Sequence, residues 1–177
     1  IRQSMPARRI WVVALSANGL PEVEIPVSTV MMRLRNVSGS YLSCTVPDPT
    51  AHTAAILSRI DGRMILRGGY LSMGARHLEE ILYANIQSVY FDLGSSHILT
   101  LAGTRYATYA NPAVVILDKV ARIGRTEAGR VSCRVPFDLF VRPGDTVTAA
   151  GETFVADLIL AAIMADDAYM DIDGEAV

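Results

Sequence analysis

The segment 137–164 constrains the fold most. Phe137–Val141 is apolar and aromatic, Arg142-Pro143-Gly144-Asp145 follows, and then come Thr146-Val147-Thr148, Gly151-Glu152 and the long run Thr153–Met164. Pro143 fixes its own φ and Gly144 tolerates a positive one, so this quartet predicts a tight reversal. Gly151-Glu152 predicts a second reversal. The flanking β-branched and aromatic residues suit pleated, half-buried strands. The expectation is a C-terminal β-meander with no catalytic constellation inside it.

The same pattern fills most of the chain. Arg9–Leu15 reads as a strand that turns at Asn18-Gly19. Glu22–Ile25 and Ser28–Asn36 read as strands separated by Pro26, which cannot donate to a ladder. Val30, Met32 and Leu34 alternate with Met31, Arg33 and Arg35. Ser38-Gly39-Ser40 then turns the chain, and pairing of Met31–Asn36 with Tyr41–Val46 predicts the first hairpin. Arg63–Leu71 is a strand in which Gly68-Gly69 marks a bulge or a close backbone approach. Glu79–Leu93 is long enough for a helix, but Ile86, Val89, Tyr90 and Phe91 favour a strand. His97–Gly103 pairs back. After Pro112, Ala113–Ile123 reads as one strand, Gly124–Gly129 as a polar loop, and Arg130–Val135 as the strand leading into the meander.

One stretch departs from this pattern. Asp48 is placed as an N-cap and Pro49 at the first helical position. Ala54, Ile56, Leu57 and Ile60 recur at helical spacing, and Gly62 is a stop signal. A helix of about three turns over Pro49–Ile60 is expected, covering an open end of the strands. The fold class is therefore mainly β: an antiparallel β-barrel or sandwich module with one short helix (49–60) and a C-terminal meander. The length of 177 residues suits a single domain over 1–177, with 166–177 as a C-terminal extension.

Hydrophobic residues make up 51% of the chain and charged residues only 19%, which is apolar for a protein of this size. No run approaches the roughly 18 residues of a membrane-spanning helix. The longest, Phe154–Ala165, contains Asp157. The surplus apolar surface points to subunit contacts. Net charge is −2, so there is no electrostatic footprint for nucleic acid. The charge is segregated: Arg2, Arg8 and Arg9 precede any acid, while Asp166, Asp167, Asp171, Asp173 and Glu175 end the chain with no base. Such ends pair within a chain, reach neighbouring copies, or stay solvated.

Candidate chemistry is sparse. Cys44 and Cys133 sit in strand-like runs, and a zinc site needs more ligands than they supply. They read as buried, reduced and metal-free thiols, unless a partner chain brings further ligands. His52, His77 and His97 have no second ligand at metal spacing. Ser95-Ser96-His97 lacks a nucleophile-elbow context. Glu79-Glu80 and Asp166-Asp167 point to opposite faces of a strand and do not converge. Asp171-Ile172-Asp173-Gly174-Glu175 has too few ligands for an EF-hand loop, with Tyr169 in its leading place. Tyr106, Tyr109 and Asn111 form the one loop that a glycan-binding reading would use, against packing as the ordinary role of tyrosine in β proteins. No catalytic, cofactor or metal residues are assigned.

Pro26–Arg35, Ser40–Pro47, the short helix, Gly69-Tyr70, Leu99–Gly103 and Leu139–Thr146 together resemble structural proteins of long-tailed, siphovirus-like bacteriophages or prophages. Those proteins sit at the tail tip or baseplate. The resemblance spans about Arg9–Met164 by turn and strand pattern, and no single motif carries it. It implies a virion building block, assembled in the host cytoplasm, that forms homo-oligomeric rings around the tail axis and contacts other tail proteins. It implies no catalysis and no cofactor. The alternatives are a receptor- or glycan-binding β-sandwich and an enzyme subunit completed by a partner.

Overall fold

The computed structural model describes residues 8–35, 39–92, 94, 97–106, 109, 111–137, 141–164 and 167–177. Its strands are β1 (Arg8–Ser16), β2 (Val23–Ile25), β3 (Thr29–Arg35), β4 (Ser40–Pro47), β5 (Arg63–Ser72), β6 (Ala75–Asp92) and β7 (Ile98–Arg105). They continue with β8 (Val114–Leu117), β9 (Arg122–Arg125), β10 (Arg130–Pro136), β11 (Thr146–Ala149), β12 (Glu152–Met164) and β13 (Ala168–Ala176). The mainly β expectation holds, and the ladders run between open ends rather than closing into a barrel. The chain divides into two compact units, 1–27 with 44–103, and 28–43 with 104–177.

In the first unit the strand order is β2-β1-β5-β6-β7, ending on the second half of β4. Val13, Leu15, Met64, Leu66, Leu82, Ala84, Leu99 and Leu101 are buried along one alternating face. The alternation keeps Glu79–Asp92 a strand despite its length, within the longer β6. The close-approach reading of Gly68-Gly69 holds, whereas both glycines pair in regular register and the extra residue of the nearby slip is Ile81 of β6. The ladder slips one register beside Leu66 and Arg67. A Cβ on Gly68 would lie 2.3 Å from the Trp11 ring, and one on Gly69 would lie 1.8 Å from the His77 carbonyl oxygen. Gly69→Ala must therefore push two backbones apart, and a loss of about 1–3 kcal/mol in chemical denaturation is expected. Unchanged stability would show that the hairpin yields freely.

The expected three-turn helix is corrected. Pro49–Ala51 is a 3-10 turn and only Thr53–Leu57, α1, is α-helical. Asp48 takes a left-handed φ of 43° and its side chain does not cap the helix; it accepts the Thr50 hydroxyl instead. His52 N–H bonds back to the Pro49 carbonyl, and the Thr53 hydroxyl also donates there. This competing local bonding tightens the start and consumes the acceptor that a regular helix needs. Arg59 then anchors the C-terminal end: its guanidinium donates to the Ala55 and Pro21 carbonyls at 2.9 and 2.8 Å.

In the second unit the order is β4-β3-β12-β13-β10-β9, with β11 on the free stretch of β12 and β8 parallel to β11. The predicted β3–β4 hairpin is present. Val30, Met32, Leu34, Ile159, Ala161, Ile163, Met170, Ile172, Val131, Cys133 and Val135 form the buried face. The meander is present from Thr146 to Met164; its first leg, 138–140, lies outside the described residues. The Arg142–Asp145 turn is a type II reversal, with Gly144 at φ 100° and the Asp145 N–H bonded to the Arg142 carbonyl at 3.1 Å.

Two further expectations are overturned here. Ala113–Ile123 is not one strand: it breaks after Leu117 into β8 and β9, which join different neighbours. The acidic C-terminal segment is not a free arm. Ala168–Ala176 is an inner strand between β12 and β10. Met170, Ile172 and Gly174 face the core while Tyr169, Asp171 and Asp173 face outward. Removing residues 166–177 would therefore delete a central strand.

Candidate interaction surface

The outer face of the second unit carries most of the distinctive side chains. The registers place Met31 opposite Ala162 and Arg33 opposite Leu160, and then Ala162 opposite Tyr169 and Leu160 opposite Asp171. Tyr41 and Ser43 continue the surface on β4. These residues line a groove of about 520 Å³. Its floor is apolar, and Met31 and Leu160 are exposed. Each side has a guanidinium over an aromatic ring: Arg33 stands 5.8 Å from the Tyr41 centroid and Arg134 stands 4.3 Å from that of Tyr169.

Arg134 also grips Asp171 with two bonds of 2.7 and 2.6 Å. That bidentate contact holds the Asp171 carboxyl below its usual range. In the first unit, Glu22 is lowered in the same way by its side-chain hydrogen bond to Arg67. A depressed folded-state value means stability present above the unfolded value, about 4, and lost as pH falls through the folded one. Thermal unfolding should therefore hold steady from neutral pH to about 5 and decline in more acid solution. Asp171→Asn should start lower at neutral pH and decline less. A variant that falls as steeply as the parent would remove Asp171 from the cause.

The other sequence candidates do not assemble into a site. Among the described residues no group of three or more His, Cys, Asp or Glu could hold a metal. Burial pushes the Cys44 thiol up to about 12. It pushes Cys133 up to about 11, with added effect from the charges of Asp171 and Asp173. Both thiols are free and buried, so they are poor nucleophiles. His77 stacks on Tyr70 at 4.8 Å, while His97 is exposed. Ser95, Ser96 and Asp166 lie outside the described residues. Arg134 bonds Asp171, and Arg130, which also bonds Asp157 at 2.8 and 2.9 Å, lies 4.0 Å from Glu175, so the acidic end meets arginines of its own unit. The Tyr109 and Ser40 hydroxyls share a hydrogen bond of 3.2 Å, and the exposed Tyr106 ring lies beside Gly39.

Among the described residues three strands end the ladders: β2, β9 and β8. β2 carries Glu24, paired with Arg76. β9 carries Arg122 and Arg125. β8 is Val-Val-Ile-Leu, without a charge, and Val114 and Ile116 are 76% and 71% exposed.

No protein family and no curated relative matches the sequence. Solved structures do match. A tail protein from Neisseria meningitidis aligns with a TM-score of 0.60 at 6% identity, over 93% of this chain and 96% of that one. The chain has the fold of phage tail proteins. The 43 kDa tail protein of prophage MuSo2 from Shewanella oneidensis aligns at TM-score 0.53 and 8% identity, over 95% and 97% of the two chains. An E. coli type VI secretion component, described as similar to T4 tail proteins gp27 and gp5, aligns at 0.51 and 7%, over 92% and 76%. No helix among the described residues is long and apolar enough to cross a membrane.

Proposed function

We propose that the chain is a structural component of the phage tail tip or baseplate, acting by assembly and not by catalysis. Repeated copies pack around the tail axis and against other tail proteins, and the product is a virion part assembled in the host cytoplasm. The observation that carries this reading is the shared fold over nearly the full length of the Neisseria tail protein. The sequence supports it through high apolarity with few charges. The groove supports it as well, because its apolar floor and guanidinium–aromatic sides have the composition of protein contact surfaces.

The glycan-binding alternative keeps Tyr106, which is 83% exposed, and loses part of Tyr109, whose hydroxyl is engaged with that of Ser40. The test has two parts. Light scattering of the purified chain should give a multiple of 19.1 kDa. Immunogold labelling of source particles should mark the tail tip. A monomer at all concentrations, together with particles that carry no label, would refute the assembly reading.

A further inference from the structure

We propose that the groove of one copy receives the outer end of the β1-β5-β6 ladder of the next copy, with Glu79 placed on Arg33 and Tyr70 on Ala162. The inference rests on the assembly reading above and names the contact that carries it. Two different patches meet, so the contact is heterologous and keeps the polarity of successive copies, as packing around an axis requires. Each patch lacks a partner in its own chain. Arg33 is exposed and its guanidinium stands over the Tyr41 ring, but among the described residues no carboxylate pairs with it. Met31 and Leu160 are exposed beside it. At the ladder end Glu79 is exposed and, among the described residues, has no cationic partner. Tyr70 and His77, both exposed, stack next to it.

A second copy is the occupant because the two layouts match in spacing, hand and charge. The groove has two rows across β3, β12 and β13: Met31-Ala162-Tyr169 and Arg33-Leu160-Asp171. The ladder end has two rows across β6, β5 and β1: His77-Tyr70-Arg9 and Glu79-Gly68-Trp11. In both, the rows are one pleat repeat apart, about 6.7 Å. Ser72–Ala75 and Met164–Asp167 close their hairpins, so Tyr70–His77 and Ala162–Tyr169 are pairs of the same hydrogen-bonded kind. That fixes the hand: stacked face to face as packed sheets are, β6-β5-β1 lie over β3-β12-β13 in that order. Glu79 then meets Arg33, and the large Tyr70 meets the small Ala162. Exposed Leu160 meets the Trp11 ring, which lies over Gly68. Arg9 falls beside Tyr169, on the side of the exposed Asp167. The reversed placement would set Arg9 on Arg33 and bring Glu79 toward Asp167, so like charges select against it. Two short rows make a small contact, weak in an isolated pair and stronger where each copy is held on both sides.

Charge reversal in the full chain, read by sedimentation over a concentration series, tests the contact. Arg33→Glu and Glu79→Arg should each weaken self-association by at least about tenfold, because each sets like charges against one another. Both positions are exposed, and circular dichroism should show the fold retained. An equal mixture of the two variants should associate again, since every groove then meets a ladder end of opposite charge in the other variant. The double variant should also associate. Arg35→Glu, one pleat repeat along β3 from Arg33, changes the net charge equally and should weaken association by less than about threefold. An equal effect of Arg35→Glu, or a mixture that stays dissociated, would overturn the proposal. Rescue in the double variant without rescue in the mixture would place the contact within one chain and overturn it too. Oligomers that ignore both reversals would overturn it while leaving the assembly reading standing. A parent chain that stays monomeric would overturn it as well, and the immunogold label would then decide the assembly reading alone.

Discussion

Phe154→Ala is expected to destabilise the protein by about 3–5 kcal/mol. Phe154 is the largest fully buried side chain among the described residues, at 0% exposure. It sits on β12 between Val147 of β11 and Ala176 of β13. Its ring also fills the space left by a missing side chain, because a Cβ on Gly174 would lie 2.8 Å from it. Gly174 cannot grow to refill the void: the same Cβ would lie 2.0 Å from the Val155 carbonyl oxygen. The cavity therefore persists, and the cost adds lost transfer energy to lost packing. A loss of that size is a large share of the roughly 5–15 kcal/mol of a typical domain. Urea unfolding followed by tyrosine and tryptophan fluorescence would measure it. A loss below about 1 kcal/mol would mean that β11–β13 collapse around the gap.

Local signals carried most of the fold. Pro143-Gly144 specifies its turn because both residues act through their own φ, and the structure places φ 100° at Gly144. Alternation identified β3, β4 and β10 for the same reason: one buried face imposes a period of two. What was not legible depended on partners remote in sequence. The acidic residues of β13 leave pairing within the chain, contact with other copies and solvation all open in the sequence, because the arginine that engages Asp171 lies 37 residues earlier. Between those charges, Met170, Ile172 and Gly174 keep the alternation of a strand with one buried face. Ala113–Ile123 read as one buried strand because its residues favour strands. Apolar composition does not distinguish a buried strand from an exposed edge, which is what Val114 and Ile116 occupy. The groove has no sequence signature at all, since its lining comes from β3, β4, β12 and β13.

Asp145→Ala should cost about 1–3 kcal/mol, because it removes the acceptor of two part-buried backbone donors that water can only partly satisfy. Asp145 is only 3% exposed. One carboxylate oxygen accepts the Ala113 N–H and the other accepts the Arg142 N–H, both at 2.8 Å. Backbone bonds extend the knot: Thr146 N–H donates to the Ala113 carbonyl at 2.9 Å, and Gly144 N–H to the Ala156 carbonyl at 2.7 Å. The Asp145 side chain thus ties the entrance of β8 to the type II turn, and backbone bonds tie that turn to β12. Asp145→Asn keeps one acceptor but turns an amide donor toward a backbone N–H, so its loss should fall between that of the parent and that of alanine. Hydrogen exchange should localise the effect, with faster exchange at β8 and β11 than at β1 or β5 in the other unit. Stability within about 0.5 kcal/mol of the parent, the range of an ordinary surface substitution, would show that water replaces the carboxylate and that the turn holds β8 without it.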